Sequence, residues 1–377
     1  MKSERISAFL SERIAAGDFP SAVYLVAEKG EIRFSDALGF AVKTDEIEIP
    51  ARFETIYDLA SLTKVLVTGL LAAKLIESDA FNLEDRVSKF YPQFARSDKS
   101  AITIRQLISH ASGFPAWRPF YLLTRCEENM ASCQNEIFDI IADENLETQP
   151  GTKVKYSDLN FLTLGFLIER LYGKSFEEIT ASEIFQFLNL TRTFFVPPNR
   201  LRNEIAAAEF GNNYEKQTCL EMGYQIPNSE LFRTELIWGA VHDGNAYLLN
   251  GIAPHAGLFS TAEEVFKIAL QFLPRSTTLL KPETCELFKT NFTQDLNEAR
   301  SLAFQLAATE DSTASEALAK NSFGHLGFTG TSLWIEPESE RIFILLTNRT
   351  HRPLPFVNIN STRRRFHELA TVDLENF

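Results

Sequence analysis

Asp58-Leu59-Ala60-Ser61-Leu62-Thr63-Lys64, followed at once by Val65-Leu66-Val67, is the segment on which the reading of this chain turns. Lys64 is the only lysine in the sequence with a serine three residues before it. On a helix, residues i and i+3 share one face, so the Ser61 hydroxyl and the Lys64 amine can meet. A serine hydroxyl is a weak nucleophile until a neighbouring base takes its proton. Lysine does that as the neutral amine, which burial favours, and the apolar residues after Lys64 supply burial. A helix start at Ser61 also aims free backbone N–H groups at a reacting carbonyl. Alone, the S-x-x-K spacing is weak evidence, since about one match arises by chance in a chain of this size.

Two further segments strengthen it. Tyr156-Ser157-Asp158 follows the Pro150-Gly151 turn and opens an apolar helix from Leu159 to Leu171. A tyrosine there can relay the serine's proton to a leaving group, and Asp158 can hold Lys64 or the substrate. Read singly, Tyr156 is a half-buried aromatic and Asp158 a helix cap. Gly324-His325-Leu326-Gly327-Phe328-Thr329-Gly330 leads into a strand from Thr331 to Ile335. Its glycines let backbone pass close to a substrate and offer an N–H to an oxyanion; read singly it is a glycine-rich turn.

The surroundings give the architecture. Ile6, Phe9, Leu10 and Ile14 mark an amphipathic helix over 3–16, and a hairpin follows from Ala22 to Phe34. Thr331 to Ile335 and Ile342 to Thr347 form a second strand pair, with a helix-compatible tail from about Thr362. Helical periodicity dominates 60–77, 104–110, 134–142, 158–172 and 176–188. The pattern predicts an α+β fold: an antiparallel sheet built by both termini and flanked by helices, with a mainly helical domain inserted. The expected sheet domain is 1–58 with 255–377, and the inserted domain 59–254.

Net charge is −13 and the sequence pI about 5.1. A chain this poor in Lys and Arg lacks the usual means of holding nucleic acid. Its one basic cluster, Arg363-Arg364-Arg365, reads as a solvated helix face. No stretch approaches the roughly 18–20 apolar residues of a membrane span, nor does the N-terminus resemble a signal peptide, so a cytoplasmic location is expected. Cys126, Cys133, Cys219 and Cys285 show neither C-x-x-C nor zinc-ligand spacing and read as reduced thiols. A Ser-His-Asp hydrolase elbow, G-x-S-x-G, is missing, as is H-E-x-x-H.

The order S-x-x-K, Y-x-[DN], [KH]-x-G before a C-terminal strand resembles the serine β-lactamase / penicillin-binding-protein superfamily, in its class C-like branch. Ile104-Arg-Gln-Leu-Ile-Ser-His-Ala-Ser-Gly113 and Gly257-Leu-Phe-Ser-Thr-Ala262 extend the likeness. The branch includes class C β-lactamases, D,D-peptidases, family VIII carboxylesterases and peptidoglycan-fragment amidases. The resemblance implies Ser61 as nucleophile, Lys64 as base and Tyr156 as proton shuttle. It places Asp158, His325, Gly327 and Phe328 around the substrate, with the oxyanion between the N–H groups of Ser61 and Phe328. It implies neither metal nor organic cofactor.

Three departures bear on substrate. Asp158 stands where the second motif usually has asparagine; ionised beside Lys64, it would raise the lysine's pKa. Either it sits slightly away, or the site uses a different proton inventory. His325 replaces the lysine common in β-lactamases, and Leu326 replaces a hydroxyl residue that helps hold a substrate carboxylate. These two make a weak carboxylate clamp, so small esters and amides without a nearby carboxylate are the first expectation. The alternatives are a cytosolic muropeptide amidase or peptidase, a weak β-lactamase or D,D-peptidase, and a non-catalytic binding protein. His242, Asp243 and His255 are read as contacting substrate, binding a structural ion or, more plainly, forming a hydrogen-bonded loop under the sheet. The sequence is silent on oligomeric state.

Overall fold

The computed structural model describes residues 1–95, 97–126, 130–226, 228 and 231–377. Strand β1 (Ser21–Glu28) reads SAVYLVAE, apolar at almost every position, and so needs cover on both faces. Alternate side chains of a strand point to opposite faces. Val23, Leu25 and Ala27 enter one hydrophobic core, while Ala22, Tyr24 and Val26 enter a second. Strand β9 (Arg341–Thr347) divides the same way, with Ile342, Ile344 and Leu346 on the first side and Phe343 and Leu345 on the second.

These two strands pair antiparallel, from Ala22 opposite Thr347 to Glu28 opposite Arg341, so the two ends of the chain form the middle of one sheet. β2 (Glu31–Lys43) and β3 (Glu48–Pro50) extend it beyond β1; β8 (Ser332–Glu336), β7 (Phe323–Leu326) and β6 (Gln305–Leu306) extend it beyond β9. All of its ladders are antiparallel. Helices Glu4–Ala15 and Asn360–Glu375 cover the second face through Ile6, Leu10, Phe366, Ala370 and Leu374. The intervening chain is mainly helical and feeds the larger first core. A separate two-stranded ladder, β4 (Tyr57–Asp58) with β5 (Phe259–Ser260), leads the chain into the Ser61 turn. The fold is thus α+β, with a terminal-built antiparallel sheet and helical flanks.

Three local expectations are corrected. The helix expected over 60–77 is not uniform: Lys64–Gly69 is a π-helical segment and the α-helix proper is Leu70–Glu77. Such widened turns recur at functional sites. Cys126 and Cys133, expected as free thiols, form a disulfide with Cα atoms 4.5 Å apart, whereas Cys219 and Cys285 are free and buried. Their seven-residue separation, ending inside helix Met130–Asp143, is one that a search for C-x-x-C passes over. The basic cluster is also not one solvated face. Arg363 is 6% exposed and lies on the same helix stripe as Phe366, His367 and Ala370. Its guanidinium donates to the carbonyls of Gly327 and Thr331, both at 2.9 Å. Among the described residues no helix is long and apolar enough to cross a membrane.

His367 gives this packing a pH signature. It is fully buried against Trp334, Phe343 and Phe366, with Nδ1 2.7 Å from the Thr313 carbonyl oxygen. Burial, aided by the Arg363 charge, pushes its pKa down to about 4. In the unfolded chain it titrates near 6.5. Below that pH the unfolded state binds the extra proton, so the stabilisation present above about 6.5 drains away as pH falls toward 4. The stability difference between the parent and His367→Gln should therefore narrow by about 1.4 kcal/mol per pH unit over that window. Urea denaturation at several pH values measures it, and a difference independent of pH would contradict the assignment.

Candidate active site

Ser61 sits on a turn held from several directions. Ala60, just before it, has φ +47°, in the left-handed region that a residue with a Cβ enters at a cost. Asp58 stabilises the turn: its carboxylate accepts the N–H of Ala60 at 2.9 Å and that of His242 at 2.8 Å. Thr329 donates its hydroxyl to the Asp58 carbonyl (2.7 Å) and Thr331 donates to the Leu59 carbonyl (3.0 Å). Gly327 lies so close to Leu59 and Thr331 that a Cβ would collide with both. The loop after β7 is thereby fastened against the Ser61 turn, and Arg363 fastens it from behind. Among the described residues, neither the N–H of Ser61 nor that of Phe328 donates to a protein acceptor.

Lys64 is fully buried. Its Nζ lies 2.9 Å from Ser61 Oγ, 2.8 Å from Asp158 Oδ1 and 2.8 Å from the His255 carbonyl oxygen. Three acceptors match the three N–H bonds of an ammonium. Burial pulls the Lys64 pKa down, but the Asp158 charge and Tyr156 pull it up, and the net direction is upward. Asp158 therefore does not sit away from the lysine. Helix Asp158–Tyr172 delivers this carboxylate from its first turn, and Gly165 on the same helix packs against Pro254, next to His255.

The Tyr156 ring is central: the Lys64 ammonium lies 5.0 Å from its centroid, His110 at 4.5 Å and His325 at 5.7 Å. Its hydroxyl is buried, without a fixed partner, within electrostatic reach of Lys64 and Ser61. Burial pushes the phenol's pKa up, against the pull of Lys64. His325 stands on β7 opposite Leu333. Burial, with the charges of Arg300 and Lys64, holds it well below the ordinary histidine range, as it does His110. Neutral His325 donates from Nδ1 to the Leu326 carbonyl (2.9 Å), which leaves an unpartnered lone pair on Nε2.

These groups line one open cavity of about 770 Å³. Its lining includes Ser61, Tyr156, Asp158, Asp243, Arg300 and His325. Of the segment 241–247, His242 and Asp243 line this cavity, and both are held by hydrogen bonds. His242 Nε2 is 2.9 Å from Glu209, Asp243 caps helix Gly244–Leu248, and Asp243 Oδ1 meets His255 Nε2 at 3.2 Å. Burial pushes the Glu215 carboxyl up to about 7, reinforced by the Asp243 charge. Asp158, Asp243 and His255 hold ligand-type atoms within 4.8 Å of one another, the single such group among the described residues. Its donors already serve Lys64 and the Asp243–His255 pair, and the ammonium opposes a cation beside Asp158.

Arg300, Arg363 and Asp58 were not singled out as site residues from the sequence. Arg300 and Arg363 belong to no local pattern with chemical meaning, and Asp58 enters the reading only as the first letter of the Ser61 segment. His110 was visible only as a letter of the 104–113 segment, where no role attaches to it.

The family model for beta-lactamases matches residues 6–365. The chain belongs to the beta-lactamase family. An Escherichia coli (strain K12) protein provisionally named a D-alanyl-D-alanine carboxypeptidase is 29% identical over 364 residues, 92% of this chain and 82% of that one. The N-acetylmuramyl-L-alanine amidase of Bacillus subtilis (strain 168) is 28% identical over 370 residues, 94% and 82% of the two chains. Among solved structures, the octameric penicillin-binding protein homologue from Pyrococcus abyssi superposes with a TM-score of 0.73 at 20% identity, covering all of this chain and 78% of that one. Members of this beta-lactamase family superfamily are serine hydrolases, among them esterases, amidases, carboxypeptidases and β-lactamases.

The Lys64–Asp158 pair has a kinetic consequence. A base held as an ammonium reacts only from its deprotonated fraction, so kcat/KM should climb with pH through and above neutrality. In Asp158→Asn the largest upward pull on Lys64 is gone and burial acts unopposed by it. The acid limb should then move to lower pH, raising the rate at pH 6 about tenfold. Superimposable profiles for parent and variant would refute this role of Asp158.

Proposed function

We propose that this chain is a serine amidase working through a Ser61 acyl-enzyme on small amides of amino acids, with esters as faster, less demanding substrates. The observation that carries the reading is Lys64 Nζ, buried and within 2.9 Å of Ser61 Oγ, at the base of a cavity wide enough for a short peptide. The two relatives lend their names to amide bonds on either side of an alanine, and both fit this bond class.

The reaction begins from the fraction of molecules in which Lys64 has lost a proton. Ser61 Oγ bonds to the carbonyl carbon while Lys64 takes the hydroxyl proton. The oxyanion accepts hydrogen bonds from the free N–H groups of Ser61 and Phe328, which are fixed in advance and need no reorganisation. Tyr156, stacked beside Lys64, passes that proton to the leaving nitrogen as the C–N bond breaks. Water then adds to the acyl ester and gives a proton to the same base. The Oγ–carbon bond breaks, Oγ recovers its proton, and the acid leaves. Gly327, Thr329, Thr331 and Arg363 act as positioning residues, because they set where the Phe328 N–H lies relative to Ser61.

Initial rates with N-acetylmuramyl-L-alanine, N-acetyl-D-alanyl-D-alanine, p-nitrophenyl acetate and nitrocefin test the reading. We expect turnover of an amide and of the ester, with nitrocefin slowest. Ser61→Ala should lose both activities by about 10⁴-fold or more with an unchanged melting temperature. Amide turnover that survives in Ser61→Ala, or none in the parent, would overturn it.

A further inference from the structure

Tyr156 stands on chain that has no regular structure of its own. Residues 153–157 belong to neither helix nor strand and run from the Pro150-Gly151 turn to helix Asp158–Tyr172. The place of its ring is therefore set by tethers from elsewhere, and His110 supplies several. The His110 carbonyl accepts the N–H of Lys155 at 2.8 Å, and His110 Nδ1 accepts the N–H of Ser157 at 3.1 Å. One residue thus holds the backbone on both sides of Tyr156. Its imidazole also lies against the Tyr156 ring, centroids 4.5 Å and planes 36° apart, and Phe161 packs on the imidazole at 5.1 Å.

Hydrogen-bond accounting fixes the tautomer. Ser112 Oγ accepts the N–H of Phe114 at 3.2 Å and donates to Asn160 Oδ1 at 2.5 Å. The Asn160 amide therefore turns its Nδ2 toward His110 Nδ1, 3.3 Å away. Two donors meet Nδ1, so it carries a lone pair and the proton sits on Nε2. The ring is neutral, as burial beside the charges of Arg300 and Lys64 requires. The backbone adds a second argument. His110 follows helix Ile104–Ile108 in the left-handed region, at φ +59°, with its N–H on the Leu107 carbonyl at 3.2 Å. Gly or Asn would close such a helix with less strain. Histidine brings a flat ring and a side-chain acceptor that the turn itself does not need.

We propose that His110 is the positioning residue of Tyr156: it fixes where the phenol hydroxyl stands relative to Lys64 and so governs proton delivery to leaving groups that need a proton. The pinning of the ring rests on the geometry of His110; its effect on leaving groups rests on the amidase reading above. An amide nitrogen must be protonated as it departs, whereas p-nitrophenolate leaves without a proton. A displaced Tyr156 therefore harms the amide far more than the ester, which a general loosening of the fold would not do.

Kinetics and fluorine NMR of the fluorotyrosine-labelled chain test this together. In His110→Ala, kcat for N-acetylmuramyl-L-alanine should fall about 100-fold and that for p-nitrophenyl acetate by less than about threefold. Added to Tyr156→Phe, the same change should cost less than about threefold more, because the residue it acts through is already disabled. Equal losses on amide and ester, or a loss in the Tyr156→Phe chain as large as in the parent, overturns the proposal. NMR reads the ring without turnover. The Tyr156 signal, assigned by its loss in Tyr156→Phe, should shift or broaden in His110→Ala, while that of Tyr24, in the core across the sheet, stays and reports the fold. If alanine disturbs the Tyr24 signal too, the same readings are taken on His110→Asn, which suits left-handed backbone and removes the ring. A Tyr156 signal that does not move overturns the pinning. Failure of the parent to hydrolyse the amide would instead remove the amidase reading and leave the pinning to stand or fall on that signal.

Discussion

The structure is organised around one buried ammonium. Lys64 has no exposed surface, and a charge so placed is tolerated only when neighbouring groups replace its water. Its three partners come from three parts of the chain: Ser61 from the turn after β4, Asp158 from the start of helix Asp158–Tyr172, and the His255 carbonyl from the segment before β5. Satisfying Lys64 therefore requires the helical middle of the chain to dock on the sheet built from its ends. The same contacts that make the charge bearable bring Ser61, Lys64 and Asp158 together.

A second constraint is backbone proximity. The Ser61 turn and the loop after β7 belong to segments about 270 residues apart in sequence, as the Asp58–Thr329 hydrogen bond measures. Ala60 in the left-handed region, Gly327 without room for a Cβ, and two threonine hydroxyls on consecutive carbonyls hold them together. Arg363 completes the arrangement from the C-terminal helix by donating to both ends of the 327–331 loop. Local strain at Ala60 persists because these surroundings over-determine it. Ser61 and Phe328, thus held together, both line the cavity, and among the described residues neither N–H has a protein acceptor.

Legibility in the sequence followed the range of each interaction. Ser61 and Lys64 declare themselves because i and i+3 on a helix is a local relation, and β1 and β9 do so because their uninterrupted apolar runs fit a sheet covered on both faces. His325 and Gly327 were visible through glycine spacing before a strand. Arg300 and Arg363 were not, because an arginine's surroundings are set by tertiary neighbours. The triplet 363–365 looked like solvated charge, whereas its first member is buried and holds the 327–331 loop. The seven-residue spacing of Cys126 and Cys133 likewise carries no signal, because their pairing is seen only in the folded chain. Asp158 was legible as a departure, and geometry removed the reading in which it sits away from Lys64, by putting its carboxylate 2.8 Å from the ammonium.

The central claim is that Ser61 is an activated nucleophile whose reactivity is limited by the proton on Lys64. Intact-mass spectrometry of the chain mixed with a fluorophosphonate, followed over time between pH 6 and pH 9, tests it most directly. The account predicts a single adduct on Ser61, absent from Ser61→Ala, that forms faster as pH rises. No adduct at any pH, or one that persists in Ser61→Ala, would contradict it.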